Sequence, residues 1–497
     1  MEQTANKPFK LNYKRTFLIG FAFFGILLLW QVYDTWCPTF LSEIFAKVYY
    51  PEYATLRTQN TLDAIEQCDS IIMKVQYPVG IMMAIDNIAA LILLPIFGKL
   101  SDKTNTKIGK RMPYILIGTF VCAVAFPFIP IFFHYNKLVG IIVMMAIVVL
   151  FAMMYRNPAV ALMPDITPKP LRSKANGIIN IMGYIGGLFA ALVGFVFVLS
   201  NYLGTKVDKT THLYADPLHE NWAYGNIWAV EGPFLVASVL MLVSALVLFF
   251  TIKEKKVAEE VKDEMARGEL VSETVDKVDD DKPMSKANRR MLWFILGAEF
   301  FWFMADNGIS TFLNNYVVFG THSSSTSTLI LTIVGGVGSV IGFALGGIIA
   351  SKIGRKWTLF GGLGLALLSY AIWGILTFAL GLPKGELPIW LYVIWFIKGF
   401  GMSLVHVNSF PMVVELCSSK KVGAFTGYYY ASSMAAQTIT PIVLGLLLLN
   451  ENFDWNFLPV YAGVCIIISL IIFFFVKNVA TTKTSFKKGL EALDAEE

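Results

Sequence analysis

The sequence predicts an all-α membrane protein of twelve transmembrane helices in two pseudo-symmetric six-helix bundles, and three observations carry that prediction. The first is composition: 56% of the 497 residues are hydrophobic and 15% charged, with a mean hydropathy of +0.61. A soluble globular domain carries about 25% charged residues. The second is spacing, since apolar runs of roughly 20 residues, the length that crosses a bilayer as a helix, recur along the whole chain. The third is an internal repeat. GKLSDKTNTKIGKR, from Gly98 to Arg111, returns in degraded form as GIIASKIGRK from Gly347 to Lys356, an offset of 249. NPAVALMPD ends at Asp165 with Gly177 beyond it, and NSFPMVVE ends at Glu415 with Gly427 beyond it, both at an offset of 250. A period this long implies two related halves rather than a solenoid. Duplicated bundles of membrane helices are how many secondary transporters are built.

Taken in order, the apolar runs place spans at about 17–44, 77–98, 113–133, 138–163, 175–200, 227–252, 291–318, 328–350, 357–380, 388–415, 423–449 and 456–476. The first run follows Lys14-Arg15 and continues into Trp30, Asp34 and Pro38, unlike the short apolar core and small-residue cleavage site of a signal peptide. If the N-terminus lies inside, the tails and inside loops hold 31 of the 40 lysines and arginines. That asymmetry sets both termini in the cytoplasm. The net charge of +5 is then a topology signal, and its spread over separate loops offers no patch for nucleic acid. Residues 1–252 form the N-terminal bundle, 253–290 a polar, amphipathic and partly helical cytoplasmic linker, and 291–497 the C-terminal bundle with a cytoplasmic tail. Two long outside loops, 45–76 with Tyr49 and Tyr50, and 201–226 with His212, His219 and Trp222, suit either passive connections or a short lid.

Ionisable groups inside the apolar runs cost about 2.5–3.5 kcal/mol each on insertion scales, so each is a candidate for function. The N-half has Asp34 in span 1, Asp86 and Asn87 in span 2, and Arg156 and Asn157 in span 4; the C-half has Glu299, Asp306 and Asn307 in span 7, and Lys398, His406 and Asn408 in span 10. Asp34, Asp86 and Arg156 are the candidate proton-coupling set, because a carboxyl in a low-dielectric span exchanges a proton near neutral pH and an arginine beside it opposes protonation. Trp30, Asn87, Asn157, Asp306, Asn307, His406, Asn408 and Tyr428 are the candidate substrate set. Amides and carboxylates pair with vicinal hydroxyls, and aromatic faces stack on sugar rings. For such aromatics, packing at the lipid interface is the competing reading. Glu299 and Lys398 suit structural ion pairs, with each other or with a neighbour. Asp102, Lys103, Lys110, Arg111, Asp165 and Glu415 sit at the cytoplasmic ends of their spans and form a candidate gate.

The same inventory argues against an enzyme. Of five histidines only His406 lies in a span, and Cys37, Cys68, Cys122, Cys417 and Cys465 have neither metal-ligand spacing nor a disulfide framework. No Walker motif is present. Neither a cofactor nor a metal is expected.

With its twelve spans and paired basic loops, the chain resembles the major facilitator superfamily over nearly its whole length. The loop SDKTNTKIGKRMP, three residues longer than the common superfamily version, resembles that of the glycoside–pentoside–hexuronide cation symporters, most closely the sucrose–proton symporter branch. PAVALMPD, Arg172 and the MGYIGG run from Met182 are similar to the helix 4–5 region of that branch. The resemblance implies proton-coupled symport of a neutral glucoside or disaccharide, of the sucrose or maltose type, by alternating access of a monomer in a bacterial inner membrane. Sodium-coupled sugar symport of the melibiose type, with Asp34 and Asp86 around the cation, and a non-transporting sugar sensor remain alternatives. One departure matters. Plant members of the branch carry an arginine and an aspartate where this chain has Val160 and Val149, which moves the proton-carrying role to Asp34 or Asp86 and leaves Arg156 to supply the positive charge.

Overall fold

The computed structural model describes residues 9–168, 171–215, 227–268, 286–414, 416, 422–450 and 452–476. Twelve long helices follow one another: α1 (Tyr13–Tyr49), α2 (Leu62–Lys103), α3 (Met112–Ala125, continued after Pro127 by Phe128–His134), α4 (Leu138–Asp165), α5 (Arg172–Val196), α6 (Ile227–Thr251), α7 (Lys286–Asn315), α8 (Ser325–Ile353), α9 (Arg355–Leu380), α10 (Ile389–Val414), α11 (Val422–Leu448) and α12 (Phe457–Phe474). Eleven are long and apolar enough to cross a membrane on length and composition. The remaining one, α7, is diluted by Arg289, Arg290, Glu299, Asp306 and four asparagines, yet it buries Leu292, Ile295, Trp302 and Phe312 in the bundle.

Local signals set the helix ends. The Asn12 side chain accepts from the Arg15 amide at 3.0 Å to start α1, and Thr61 accepts from Ala64 at 3.3 Å to start α2. The two repeated loops turn on glycines in the left-handed region, Gly109 (φ 122°) and Gly354 (φ 89°), where a side chain would be strained.

Contacts divide the helices into two groups. Within the first, α1 packs on α5 and α6, and α4 on α2 and α3; within the second, α10 packs on α8 and α9, and α7 on α11 and α12. The main joins between the groups are α2 with α11, α1 with α7, and α5 with α8. The α2–α11 seam needs glycine. A Cβ on Gly80 would come within 2.1 Å of the Pro441 carbonyl oxygen, and one on Gly445 within 2.7 Å of the Gln76 carbonyl oxygen. Twelve successive antiparallel helices put the start of α1 and the end of α12 on one face of the bundle, the termini face; the opposite one is the far face.

The segment 45–76 differs from expectation. It is helical through Glu52–Thr58 and the first turns of α2 rather than a loop. Ala64, Ile65, Cys68, Ile71 and Ile72 are buried at helical spacing while the other side is polar. A hydropathy window tuned to bilayer-spanning runs does not register such an amphipathic extension. In 201–226, Val207 and Tyr214 pair in an isolated bridge and His212 stands between them with φ 56°. His219 and Trp222 lie outside the described residues, as do Cys417, Glu415 and the middle of the linker. The linker begins with a helix, Glu254–Glu260, that docks on the first bundle. Glu254 accepts from the backbone amides of Lys110, Arg111 and Met112 at 2.8–3.0 Å.

Candidate functional site

The far face is closed by a buried polar lattice between α1, α2 and α7. Asn315 donates to Ser42 at 2.9 Å and to the Gln76 side-chain carbonyl at 2.9 Å, and accepts from Thr39 at 2.8 Å. Asn314 donates to the Thr35 carbonyl at 3.0 Å and to Thr39 at 2.8 Å. Thr39, Ser42, Gln76 and Asn315 are all fully buried, so every donor in this lattice needs its partner. Closer to the surface, Asp69 of α2 meets His322 at 2.9 Å and Lys384 at 3.2 Å from the second half. Among pairs of described residues, the hydrogen bonds and ion pairs that join the halves lie between this surface and the level of Asn87, whose amide donates to the Gln437 carbonyl at 3.3 Å.

Beneath the lattice is a cavity of about 290 Å³ between α1, α7, α8 and α10. Gln31, Asp34 and Thr35 line it from α1; Ser310 and Asn314 from α7; Thr328, Thr332 and Ser339 from α8; Trp395 and Lys398 from α10. Its volume falls just under the range of small-molecule sites, about 300–1,000 Å³.

Asp34 joins this cavity to a charged cluster of the N-half. Its carboxyl is exposed to the cavity and lies within the field of Arg156 from α4, with Asp86 of α2 close behind. The Arg156 guanidinium stands 6.0 Å over the Trp30 ring, and Trp30 meets Tyr33 edge-on at 5.6 Å. The Tyr33 hydroxyl points toward Asp86 without closing a full hydrogen bond. A second cluster flanks the cavity in the C-half, where Lys398 pairs with Asp306 at 2.5 Å and His406 lies beside them, its ring 5.3 Å from Phe303. Of the two structural pairings open to Lys398, with Glu299 or with a neighbour, it takes the neighbour, Asp306.

The other sequence candidates have different surroundings. Asn157 donates to the Leu94 carbonyl at 2.6 Å, which ties α4 to α2. Asn408 is buried and donates to the Leu404 carbonyl one turn back in its own helix at 2.8 Å. Tyr428 is 53% exposed and packs on Phe425 at 5.9 Å; it is Tyr430 whose hydroxyl lies in the field of Arg156. Asn307 keeps a buried side-chain carbonyl with no partner among the described residues. The sequence reading missed Gln31, Thr35, Ser310, Thr328, Thr332 and Ser339, and the whole far-face lattice. The sequence reading followed ionisable groups and the amides near them, so hydroxyls and amides elsewhere in the spans went unmarked, although the spacing Gln31, Thr35, Thr39 marks one polar stripe on α1.

At the termini face, Arg111 gathers the repeated loop. Its guanidinium bonds Asp102, the Ser101 hydroxyl at 2.5 Å and Asp165 at 2.7 Å, while Lys110 reaches Asp165 at 3.1 Å. Burial works against the charge on Arg111, but the hydrogen bonds and charges of Asp165 and Asp102 outweigh it and hold the guanidinium pKa above its ordinary value. Lys103 is exposed and belongs to none of these pairs. In the second half the corresponding Ser351 is exposed and, among the described residues, bonds the Ile348 carbonyl of its own helix at 2.7 Å.

Comparison with solved structures places the fold among membrane transporters. The chain is similar to the xylose transporter XylE from E. coli in an inward open conformation (TM-score 0.59, 14% identity, 95% of this chain and 98% of that one). It is similar to a D-xylose-proton symporter (0.57, 17%, 95% and 99%) and to a peptide transporter, POT, in complex with alafosfalin (0.58, 16%, 96% and 96%). No curated protein matches in sequence. The Major Facilitator Superfamily profile matches residues 19–383 and 321–494, and the chain belongs to that family.

Proposed function

We propose that the protein is a secondary active transporter that carries a neutral glucoside or disaccharide together with a proton by alternating access. The observation that carries this reading is the cavity between the halves, where hydroxyls and amides from α1, α7 and α8 surround one carboxylate, Asp34, that faces an arginine. Polar uncharged groups with Trp395 at the wall suit a ligand rich in hydroxyls. The two nearby cations, Arg156 and Lys398, each have a carboxylate neighbour, which leaves little positive charge to select an anion. In this reading Asp34, backed by Asp86, takes up the proton together with the sugar. Arg156 neutralises the carboxylate once the proton has left, so the empty carrier returns without charge at that point.

One observation supports a second reading: Asp34 and Asp86 lie close enough to sense one another, as carboxylates around a sodium ion would. A disaccharide panel added to proteoliposomes, with and without sodium, separates the two. Proton symport predicts sugar-induced alkalinisation of the medium that is indifferent to sodium. Sodium-dependent uptake without a pH change would replace the proton reading, and binding without uptake would indicate a sensor.

A further inference from the structure

The C-half core holds a carboxyl that neither the cavity nor the termini-face cluster uses. Glu299 of α7 is fully buried, and neither of its carboxyl oxygens has a hydrogen-bond partner. The hydroxyls around it are engaged elsewhere: Ser432 of α11 donates to the Leu296 carbonyl and Ser469 of α12 to the Ala298 carbonyl, both at 2.9 Å. Tyr429 of α11 is the titratable side chain that faces it. Among the described residues no lysine, arginine or histidine pairs with it. An ionised carboxylate so placed would cost far more than its neutral acid, which asks only for a modest polar burial.

The position is also connected. Glu299 precedes Asp306 by seven residues, two turns along the same face of α7. The Tyr429 hydroxyl is 2.8 Å from that of Ser409, and Ser409 sits one turn beyond His406, which lies beside Asp306 and Lys398. A line of protonatable and hydroxyl side chains thus leads from Glu299 to the cavity wall.

We infer that Glu299 is an exchangeable proton-binding site of the C-half, separate from Asp34 and Asp86. It holds one proton as a carboxylic acid in the arrangement seen here. On release the O–H bond breaks, the proton passes to water and the carboxylate remains; loading reverses the step. Its part in transport rests on the proton-coupled reading above, but the proton site itself does not.

Infrared difference spectra between acidic and alkaline pH, taken on the full chain in lipid without sugar, test the site directly. A protonated-carboxyl band is expected that disappears in Glu299→Gln, shifts in Glu299→Asp and persists in Asp34→Asn. In transport, Glu299→Gln is expected to lower uphill accumulation about tenfold while counterflow stays within roughly twofold. Should Glu299→Gln fail to fold, Tyr429→Phe keeps the carboxyl and is expected to slow hydrogen–deuterium exchange of the same band. A difference spectrum unchanged by Glu299→Gln, a band that ignores pH, or exchange unaffected by Tyr429→Phe overturns the proposal. Loss of the Glu299 band with normal coupling through Asp34 or Asp86 sinks only the transport role, whereas an intact Glu299 band without any sugar-driven proton movement sinks the symport reading.

Discussion

Asp34 is the residue at which the two halves of the proposed mechanism meet. It lines the cavity, it feels Arg156, and it has a second carboxyl, Asp86, at its back. Replacing the proton carrier with asparagine keeps the shape and removes the exchangeable proton. Asp34→Asn or Asp86→Asn is therefore expected to abolish uphill accumulation while sugar counterflow stays measurable, the loss reaching tenfold or more. Normal accumulation in both variants would remove both from the coupling role. At this scale the sequence was a partial guide. Charged residues in apolar runs announce themselves by their cost; of these, Asp34 and Lys398 line the cavity, with Arg156 and Asp86 near the first and Asp306 paired to the second. Amides are ambiguous, because the same group that binds a hydroxyl also binds a backbone carbonyl, as Asn157 does with Leu94 and Asn408 with Leu404. Which face of α11 meets Arg156 was equally hidden within three consecutive tyrosines. Rotation about a helix axis is set by tertiary packing, and the structure selects Tyr430.

Single elements act here as latches. The lattice that closes the far face concentrates on the last turn of α7, where Asn315 makes three side-chain hydrogen bonds to α1 and α2. Each buried hydrogen bond contributes about 1 kcal/mol net, and a partner left unpaired costs about 1–3 kcal/mol. Asn315→Ala is therefore expected to shift the carrier at least roughly tenfold toward a far-face-open form. A cysteine introduced at Thr328, just beneath the lattice, reports this through faster labelling by an impermeant thiol reagent from the far side. An unchanged labelling rate would mean that the lattice packs the bundle without gating it. At the opposite face, Arg111 holds Asp102 and Asp165 within one half, and Glu254 of the linker fastens the same loop by its backbone. We expect this cluster to close against the partner half when the cavity opens to the far side. Asp102→Ala should then slow turnover severalfold with affinity within about twofold, since the residue is remote from the cavity lining. A large affinity loss at normal turnover, measured by binding and flux on one preparation, would place Asp102 in the binding site instead.

At the scale of the whole molecule, the fold was readable because the bilayer leaves so few options. A chain with repeated apolar runs of helical length has little choice but helices, and a repeat offset of 249 residues fixes two halves. What hydropathy did not show was amphipathic structure beyond the apolar limits: the helix Glu52–Thr58 and the first turns of α2. It also could not show which cations would end up matched. That matching now argues for the substrate. Both cations near the cavity have carboxylate neighbours, Arg156 with Asp34 and Lys398 with Asp306, and the rest of the lining is hydroxyl, amide and aromatic. An anionic sugar would have to compete with one of these carboxylates for its cation, a cost that a neutral sugar avoids. Uncharged disaccharides are therefore expected to compete for uptake, with hexuronates and sugar phosphates weaker by tenfold or more, on the order of 1.4 kcal/mol. The discriminating measurement is inhibition of labelled-sugar counterflow by matched neutral and acidic sugars at constant pH. Selective inhibition by a hexuronate, lost in Arg156→Gln, would instead make Arg156 a bidentate carboxylate clamp and Asp34 the group it releases on binding.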